Sequence, residues 1–142
     1  MGSIVVGTDG SPSADAAVRR AAEVAKGVGA RMHLVTAYPD VATFRETIVS
    51  SAKADPIDLR NVAESVLARE SRALADQGID VVTHAREGDP AEVIIDVAQE
   101  QGADLIIVGA RGLSGLQRFL LGSVSSKLSH HAPTSVMVVR DQ

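Results

Sequence analysis

The chain contains no cysteine and no tryptophan, and one tyrosine and two phenylalanines make up an aromatic content of only 2%. Without cysteine it can form neither disulfides nor thiolate zinc sites, and it cannot act through a cysteine nucleophile. With so few aromatic rings, any folded core must be built from aliphatic side chains. The absence of cysteine fits a reducing compartment, and we expect a cytoplasmic protein.

Excess positive charge and long apolar runs are also missing. The formal net charge is −4, which argues against nucleic acid as a partner because phosphate backbones are bound by basic surfaces. No apolar run approaches the roughly 18 residues of a membrane helix. The first residues lack the basic region of a secretory signal. We therefore expect neither a nucleic acid nor a membrane as partner.

The composition and length predict one folded domain. The chain has 142 residues, of which 45% are hydrophobic and 23% charged. That balance is typical of globular proteins, and the length allows a core of useful size. We expect a single domain over residues 1–142.

Short apolar segments alternate with amphipathic ones along the chain. A helix is predicted from Pro12 to near Gly27, and residues 38–57 read as a loop with some irregular helix. The other predicted helices are 58–77, 91–101 and 123–131, and the predicted strands are 3–9, 30–37, 79–86, 104–109 and 135–140. Strands alternating with helices predict an α/β fold, a parallel sheet with helices on both faces.

A glycine motif follows the fourth predicted strand. It reads Gly109-Ala110-Arg111-Gly112, then nine residues, then Gly122-Ser123, where the last predicted helix begins. Glycine allows an anion to approach the backbone, and the first N–H groups of a helix point at it. The motif therefore predicts a phosphate site. It matches neither the dinucleotide fingerprint nor the P-loop.

With this motif, the chain resembles the ATP-binding branch of the universal stress protein family, whose motif is Gly-x2-Gly-x9-Gly-[Ser/Thr]. The resemblance extends to the opening segment 4–11 and the closing segment 133–139. It implies a doubly wound five-stranded parallel sheet of order 3-2-1-4-5. Strands 1 and 4 are then neighbours at the topological switch point, where open α/β sheets bind ligands.

The predicted nucleotide-binding residues come from the loops that leave these strands and from the end of strand 2. They are Gly7, Thr8, Asp9, Ala37, Val108, Gly109, Arg111, Gly112, Gly122, Ser123, Val124 and Ser125. We expect phosphates on the N–H groups of residues 122–125, helped by the Ser123 and Ser125 hydroxyls. The alternative for the glycine segment is a turn followed by an ordinary helix cap.

Several of these residues have a second interpretation. Asp9 suits a ribose or adenine contact, which the resemblance implies, and it also suits capping of the following turn. Ala37, whose backbone would read the adenine edge according to the resemblance, can equally be a core alanine. Arg111 and Arg118 can pair with phosphate or lie in solvent. Tyr38 is more typical of a surface residue than of a stacking one.

No catalytic or metal-binding set is predicted. The four histidines lack metal-ligand spacing, and His33 and His84 are expected to be half-exposed residues of the sheet. No nucleophile elbow or paired carboxylates occur.

The sequence thus predicts an ATP-binding regulatory module, with Mg²⁺ accompanying the nucleotide. A slow ATPase, a cyclic AMP-binding protein and an interaction domain without nucleotide remain as alternatives. A homodimer joined through the last strand, 135–140, is also expected, because a long apolar edge strand invites pairing with another chain. The resemblance implies the same dimer.

Overall fold

The computed structural model describes residues 2–39, 56–111 and 122–140. The described strands and helices alternate along the chain. They are β1 (Ser3–Gly7), α1 (Pro12–Val28), β2 (Arg31–Tyr38), α2 (Pro56–Ala75), β3 (Val81–Glu87), α3 (Pro90–Gln101), β4 (Leu105–Gly109), α4 (Ser123–His131) and β5 (Ser135–Val139).

The five strands form one parallel sheet in the order β3-β2-β1-β4-β5. Val5 of β1 pairs with His33 of β2 on one side and with Ile106 of β4 on the other. The predicted α/β fold and strand order are therefore confirmed. β1 ends at Gly7, two residues before the predicted end, so Thr8 and Asp9 belong to the loop. Most of the segment 38–57, predicted to be a loop, lies outside the described residues.

Alternation along the strands divides the core into two layers. Ile4 and Val6 pack with α1 and α2, whereas Val5, between them, packs with α3 and α4. All three side chains are fully buried, and burying each stabilises the fold by about 1.5–3 kcal/mol. Ala17 and Ala21 of α1 are also fully buried. Their small side chains let this helix approach the sheet closely.

Helix caps follow the sequence signals. At α1, the Ser11 side chain accepts a hydrogen bond from the Ala14 N–H, and Gly29 ends the helix at a φ of 69°. At α3, the Asp89 side chain accepts from the Glu92 N–H. These caps satisfy amide groups that a helix start otherwise leaves without partners.

Strand β5 lies at the edge of the described sheet. The Val139 carbonyl accepts a hydrogen bond from the Ala110 N–H and so points toward β4. Since successive residues of a strand face opposite neighbours, the N–H and C=O of Val138 point outward. This edge is compatible with pairing to a second chain, and the homodimer stays a prediction.

Candidate functional site

A crevice of about 320 Å³ opens where the carboxyl ends of β1 and β4 lie side by side. This is the switch point of the sheet, the usual ligand site of the fold. The crevice is lined by Gly7, Thr8, Asp9, Ala14, Val35, Ala37, Pro90, Ile94, Val108, Gly109, Arg111, Gly122, Ser123, Val124 and Ser125. Eleven of the twelve predicted site residues are thus brought together in one place. Gly112, the twelfth, and Arg118 lie outside the described residues.

Two glycines of the crevice allow close packing of helices. A Cβ at Gly7 would lie 2.5 Å from Cδ1 of Ile94, and a Cβ at Gly109 would lie 2.7 Å from the carbonyl oxygen of Ser13. The packing of α1 on the end of β4 therefore requires glycine at 109. In the sequence, the approach of a phosphate to the backbone explains this glycine, whereas in the structure the packing of α1 explains it without one.

The loop after β1 is held by hydrogen bonds on both sides. The Thr8 N–H donates to the Val35 carbonyl at 2.9 Å, and the Thr36 hydroxyl donates to the Thr8 carbonyl at 2.9 Å. Oδ1 of Asp9 accepts from the Ser11 N–H at 2.8 Å. Asp9 therefore caps the turn, as one of its two interpretations proposed, and it lines the crevice as well.

The N-terminus of α4 faces the crevice without a side-chain cap. Gly122 occupies the cap position and has no side chain to contribute. The Gly122 N–H donates to the Ala110 carbonyl at 2.7 Å. That amide is therefore already engaged, which corrects the expectation that it would meet phosphate. The amides of residues 123–125 are the first N–H groups of the helix, where the dipole favours an anion.

Two further expectations about this segment need correction. The Ser125 side chain is only 1% exposed, and its hydroxyl donates to the Gly122 carbonyl at 3.1 Å. Its proton is therefore used within the helix start. Gly122 has a φ of −62°, a conformation open to any residue, so its glycine is not explained by a left-handed backbone.

The remaining predicted residues differ in their surroundings. Val108 is 4% exposed beneath the crevice, and Ala37 is half-buried at its wall. The Arg111 N–H donates to the Ser13 hydroxyl at 3.2 Å. The Tyr38 hydroxyl accepts from Arg60 of α2 at 3.1 Å, an exposed contact that agrees with a surface role.

The expectation for His33 was wrong. Its side chain is 2% exposed, and its Nδ1 lies 3.0 Å from Nε2 of His84, so one ring donates to the other. Burial, followed by the nearby Arg31, lowers the pKa of His33, and burial followed by His33 lowers that of His84. Within the described residues no group of three or more potential ligands could hold a metal ion.

Four lining residues were missed in the sequence: Ala14, Val35, Pro90 and Ile94. Val35 could have been found, because it lies two residues before Ala37 and so faces the same side of β2. Ile94 is placed by the packing of α3 against Gly7, and Pro90 begins the same helix. Nothing local in the sequence reveals that contact.

A second groove, between α1 and α2, is larger at about 460 Å³. Long charged side chains of α1, including Arg19, Glu23 and Lys26, line it. Within the described part of the chain, no residue of the strands or of the glycine motif lines it, so the crevice is the better candidate site. No described helix is long and apolar enough to cross a membrane.

The family is settled by comparison with known proteins. The model of the universal stress protein family matches residues 1–140. The chain belongs to this family. A putative universal stress protein of Staphylococcus aureus strain USA300 is 35% identical over 141 residues, covering 98% of this chain and 84% of the relative.

Solved structures of the family show the same fold. A universal stress protein in complex with cAMP superposes with a TM-score of 0.75 at 28% identity, covering 97% of this chain and 96% of the other. A family member from Archaeoglobus fulgidus in complex with dAMP has a TM-score of 0.71 at 23% identity, covering 97% of each chain. At that identity the second likeness concerns the fold alone.

Proposed function

We propose that the crevice binds an adenine nucleotide and that the protein is a regulatory binding module. One observation carries the proposal. At the switch point of the sheet, an apolar crevice ends at a helix N-terminus that has glycine at its cap. In such a site, the apolar surface can bury the base of a nucleotide, and the helix amides can bind the phosphates at the other end of the same ligand.

The apolar half of the crevice suits a flat base. Val35, Ile94 and Val108 contribute aliphatic side chains, and Ala37 leaves space at the end of β2. Burial of a ring against these residues supplies affinity without a specific charge. The Asp9 carboxylate, at the rim formed by the β1–α1 loop, is an acceptor for sugar hydroxyls.

The phosphate half is formed by the amides of Ser123, Val124 and Ser125. A helix N-terminus carries about half a positive charge, which favours phosphate there. ATP is the nucleotide we propose, because the Gly109–Ser123 spacing matches the ATP-binding branch of the family. Mg²⁺ would be held by the phosphates and water, since it usually keeps several water ligands.

The comparison with the cAMP complex supports adenine as the base, because that relative has the same fold at 28% identity. It also keeps cyclic AMP as the alternative ligand. ATP and cyclic AMP have the same adenine ring and ribose, and they differ in the phosphates that would reach α4. Competition between ATP and cyclic AMP for the protein distinguishes them.

We further propose that two copies pair through β5. Support comes from the outward N–H and C=O of Val138 and from an apolar strand whose side chains, Val136 to Val138, are half-buried in the isolated chain. Pairing about a two-fold axis would give the outward N–H and C=O groups of β5 hydrogen-bond partners and limit the assembly to a dimer.

The site proposal is tested by titration calorimetry of ATP with Gly122→Val. Valine accepts the backbone conformation of Gly122, so the variant should fold, while its branched side chain crowds the approach to the α4 amides. We expect an affinity loss of at least about tenfold, equivalent to about 1.4 kcal/mol. Gly27→Val is the matched control, because nothing lies within 4 Å of a Cβ at that exposed position.

Unchanged ATP affinity in folded Gly122→Val would refute the assignment of the phosphates to α4. Mass spectrometry of small molecules released from the denatured protein identifies the nucleotide carried from the cell. A steady-state turnover of about 1 s⁻¹ or more, the ordinary enzyme range, would instead favour an ATPase.

A further inference from the structure

Glu70, in the middle of α2, has a carboxyl group buried behind the crevice. The residue is only 8% exposed, although glutamate is almost never buried without a partner. Its Oε1 accepts a hydrogen bond from the Thr8 hydroxyl at 3.0 Å. Its Oε2 is buried with no hydrogen-bond partner among the described residues. This is an expensive arrangement for an ionised carboxylate.

Two charged side chains and one hydroxyl surround Glu70. Asp15 of α1 faces it, Arg69 is its neighbour on α2, and Thr8 approaches from the end of β1. Arg19, Glu23 and Lys26 of α1 line the groove into which the same region opens. Burial and then the nearby Asp15 carboxyl raise the pKa of Glu70 to about 7, against the smaller opposing effects of Thr8 and Arg69.

Thr8 connects this carboxyl to the crevice. Its hydroxyl donates to Glu70 and accepts from the Gly10 N–H at 3.2 Å. Gly10 has a φ of 80°, so the turn depends on a conformation that few other residues adopt. Thr8 and Asp9 line the crevice, whereas Glu70 does not. Glu70 is thus one hydrogen bond away from the ligand-facing loop.

We propose that Glu70 is a positioning residue for the crevice: its protonated carboxyl holds the Thr8 hydroxyl and the Thr8–Gly10 turn, and its ionisation weakens nucleotide binding. The inference rests on the proposed nucleotide function. It adds a residue of α2 to the site and makes the site sensitive to pH near neutrality.

Both protonation states follow from the contacts. When Glu70 is neutral, its Oε1 accepts a hydrogen bond from Thr8 and the proton on its Oε2 is directed to the facing Asp15 carboxylate. Each oxygen then has a hydrogen-bond partner. When Glu70 ionises, two carboxylates face each other and the buried one is drawn toward water in the α1–α2 groove. The Thr8 hydrogen bond alone would favour the ionised form, but burial and repulsion from Asp15 together outweigh it, so Glu70 moves away from Thr8 and the turn loosens.

The nucleotide acts in the same direction. Its phosphates bring negative charge to the protein, which disfavours ionisation of a nearby carboxyl group. By linkage, a ligand that raises the proton affinity of Glu70 must itself bind more tightly when Glu70 is protonated. Nucleotide affinity therefore falls as pH rises through about 7.

The test compares ATP affinity by calorimetry at about pH 6, 7 and 8 in the wild type and in Glu70→Gln. Glutamine keeps an acceptor for Thr8 and a donor toward Asp15 but does not ionise. Phosphate monoesters titrate near pH 6, and any contribution of the ATP phosphates to the pH dependence is common to both proteins. We expect wild-type affinity to fall by about fivefold relative to Glu70→Gln, the lower end of ordinary coupling between sites.

Two further variants sharpen the result. Asp15→Asn removes a charge that raises the pKa of Glu70, so the loss of affinity should begin at lower pH than in the wild type. Thr8→Val keeps the side-chain shape but removes the hydrogen bond to Glu70, so it should bind ATP more weakly and with a smaller pH dependence than the wild type. A purely structural role for Glu70 would change the melting temperature without changing the pH profile.

The outcomes separate the inference from the function on which it rests. Identical pH profiles for ATP in wild type and Glu70→Gln overturn the role of Glu70 and leave nucleotide binding intact. A wild-type protein that binds no adenine nucleotide at any of these pH values overturns the proposed function and the inference together.

Discussion

Replacing Gly109 by alanine separates packing from ligand binding at the glycine motif. The added Cβ would lie 2.7 Å from the Ser13 carbonyl oxygen and 2.9 Å from its carbonyl carbon, and it would also contact the Ser13 hydroxyl. The first two neighbours are backbone atoms of α1, so the helix itself would have to move. Overpacking of this kind costs about 1–3 kcal/mol.

A second loss follows from the same movement. The Ser13 hydroxyl accepts a hydrogen bond from the Arg111 N–H, and such a bond contributes about 1 kcal/mol. We therefore expect Gly109→Ala to lower the free energy of unfolding of the nucleotide-free protein by about 2–4 kcal/mol. For a domain of this size, that corresponds to a fall in melting temperature of about 10 °C.

Thermal and urea unfolding of the nucleotide-free protein measure this effect, with two controls. Gly27→Ala, with nothing within 4 Å of the new Cβ, should stabilise α1 by about 0.5–1 kcal/mol. Gly7→Ala meets the end of the Ile94 side chain at 2.5 Å, which can rotate, so it should cost less than Gly109→Ala. If Gly109→Ala has the melting temperature of the wild type but binds ATP more weakly, the packing explanation is refuted.

The remaining predictions concern the sheet. The pKa values of His33 and His84 are lowered in the folded state, so their contribution to stability is present above their unfolded pKa and is lost as pH falls through the folded values. Denaturant unfolding from about pH 7 down to pH 5 should show this loss, and a His84→Gln variant that is equally acid-sensitive would contradict it. Val138→Pro should raise the dimer dissociation constant by about 30-fold, since proline removes one outward donor from each copy and each hydrogen bond contributes about 1 kcal/mol. Light scattering measures the mass, and a wild-type mass near 14.8 kDa at micromolar concentration would rule out the dimer.

Much of the fold follows from local sequence patterns. Continuous apolar runs predict buried parallel strands, and Ser11-Pro12 and Asp89-Pro90 mark helix starts because their side chains cap the first amides. The strand order came from the family resemblance, since local patterns do not encode which strands become neighbours. The sheet confirms that order.

The site was predictable where its residues lie at strand ends or in the glycine motif. It was not predictable where contacts between distant parts of the chain determine which residues line the crevice. Ile94 enters the crevice only because Gly7 leaves room for it, and Gly109 is required by α1, which precedes it by about a hundred residues. His33 appeared half-exposed because its pairing with His84 across two strands is not visible in either segment.

Glu70 illustrates the same limit. In the sequence it is one acidic residue of an amphipathic helix, and nothing local distinguishes it from its exposed neighbours. Its burial against Thr8 and Asp15 arises from the way α2 packs over the end of β1. Its buried Oε2, which has no hydrogen-bond partner among the described residues, distinguishes it only in the folded chain.

The central claim, that an adenine nucleotide occupies the crevice at the ends of β1 and β4, is tested most directly by amide chemical-shift mapping. Uniformly labelled protein is titrated with ATP and Mg²⁺. We expect the largest shifts at Thr8, Asp9, Val108 and Gly109 and at the amides of residues 123–125. Shifts confined to the α1–α2 groove, or no shifts at millimolar ATP, would contradict it.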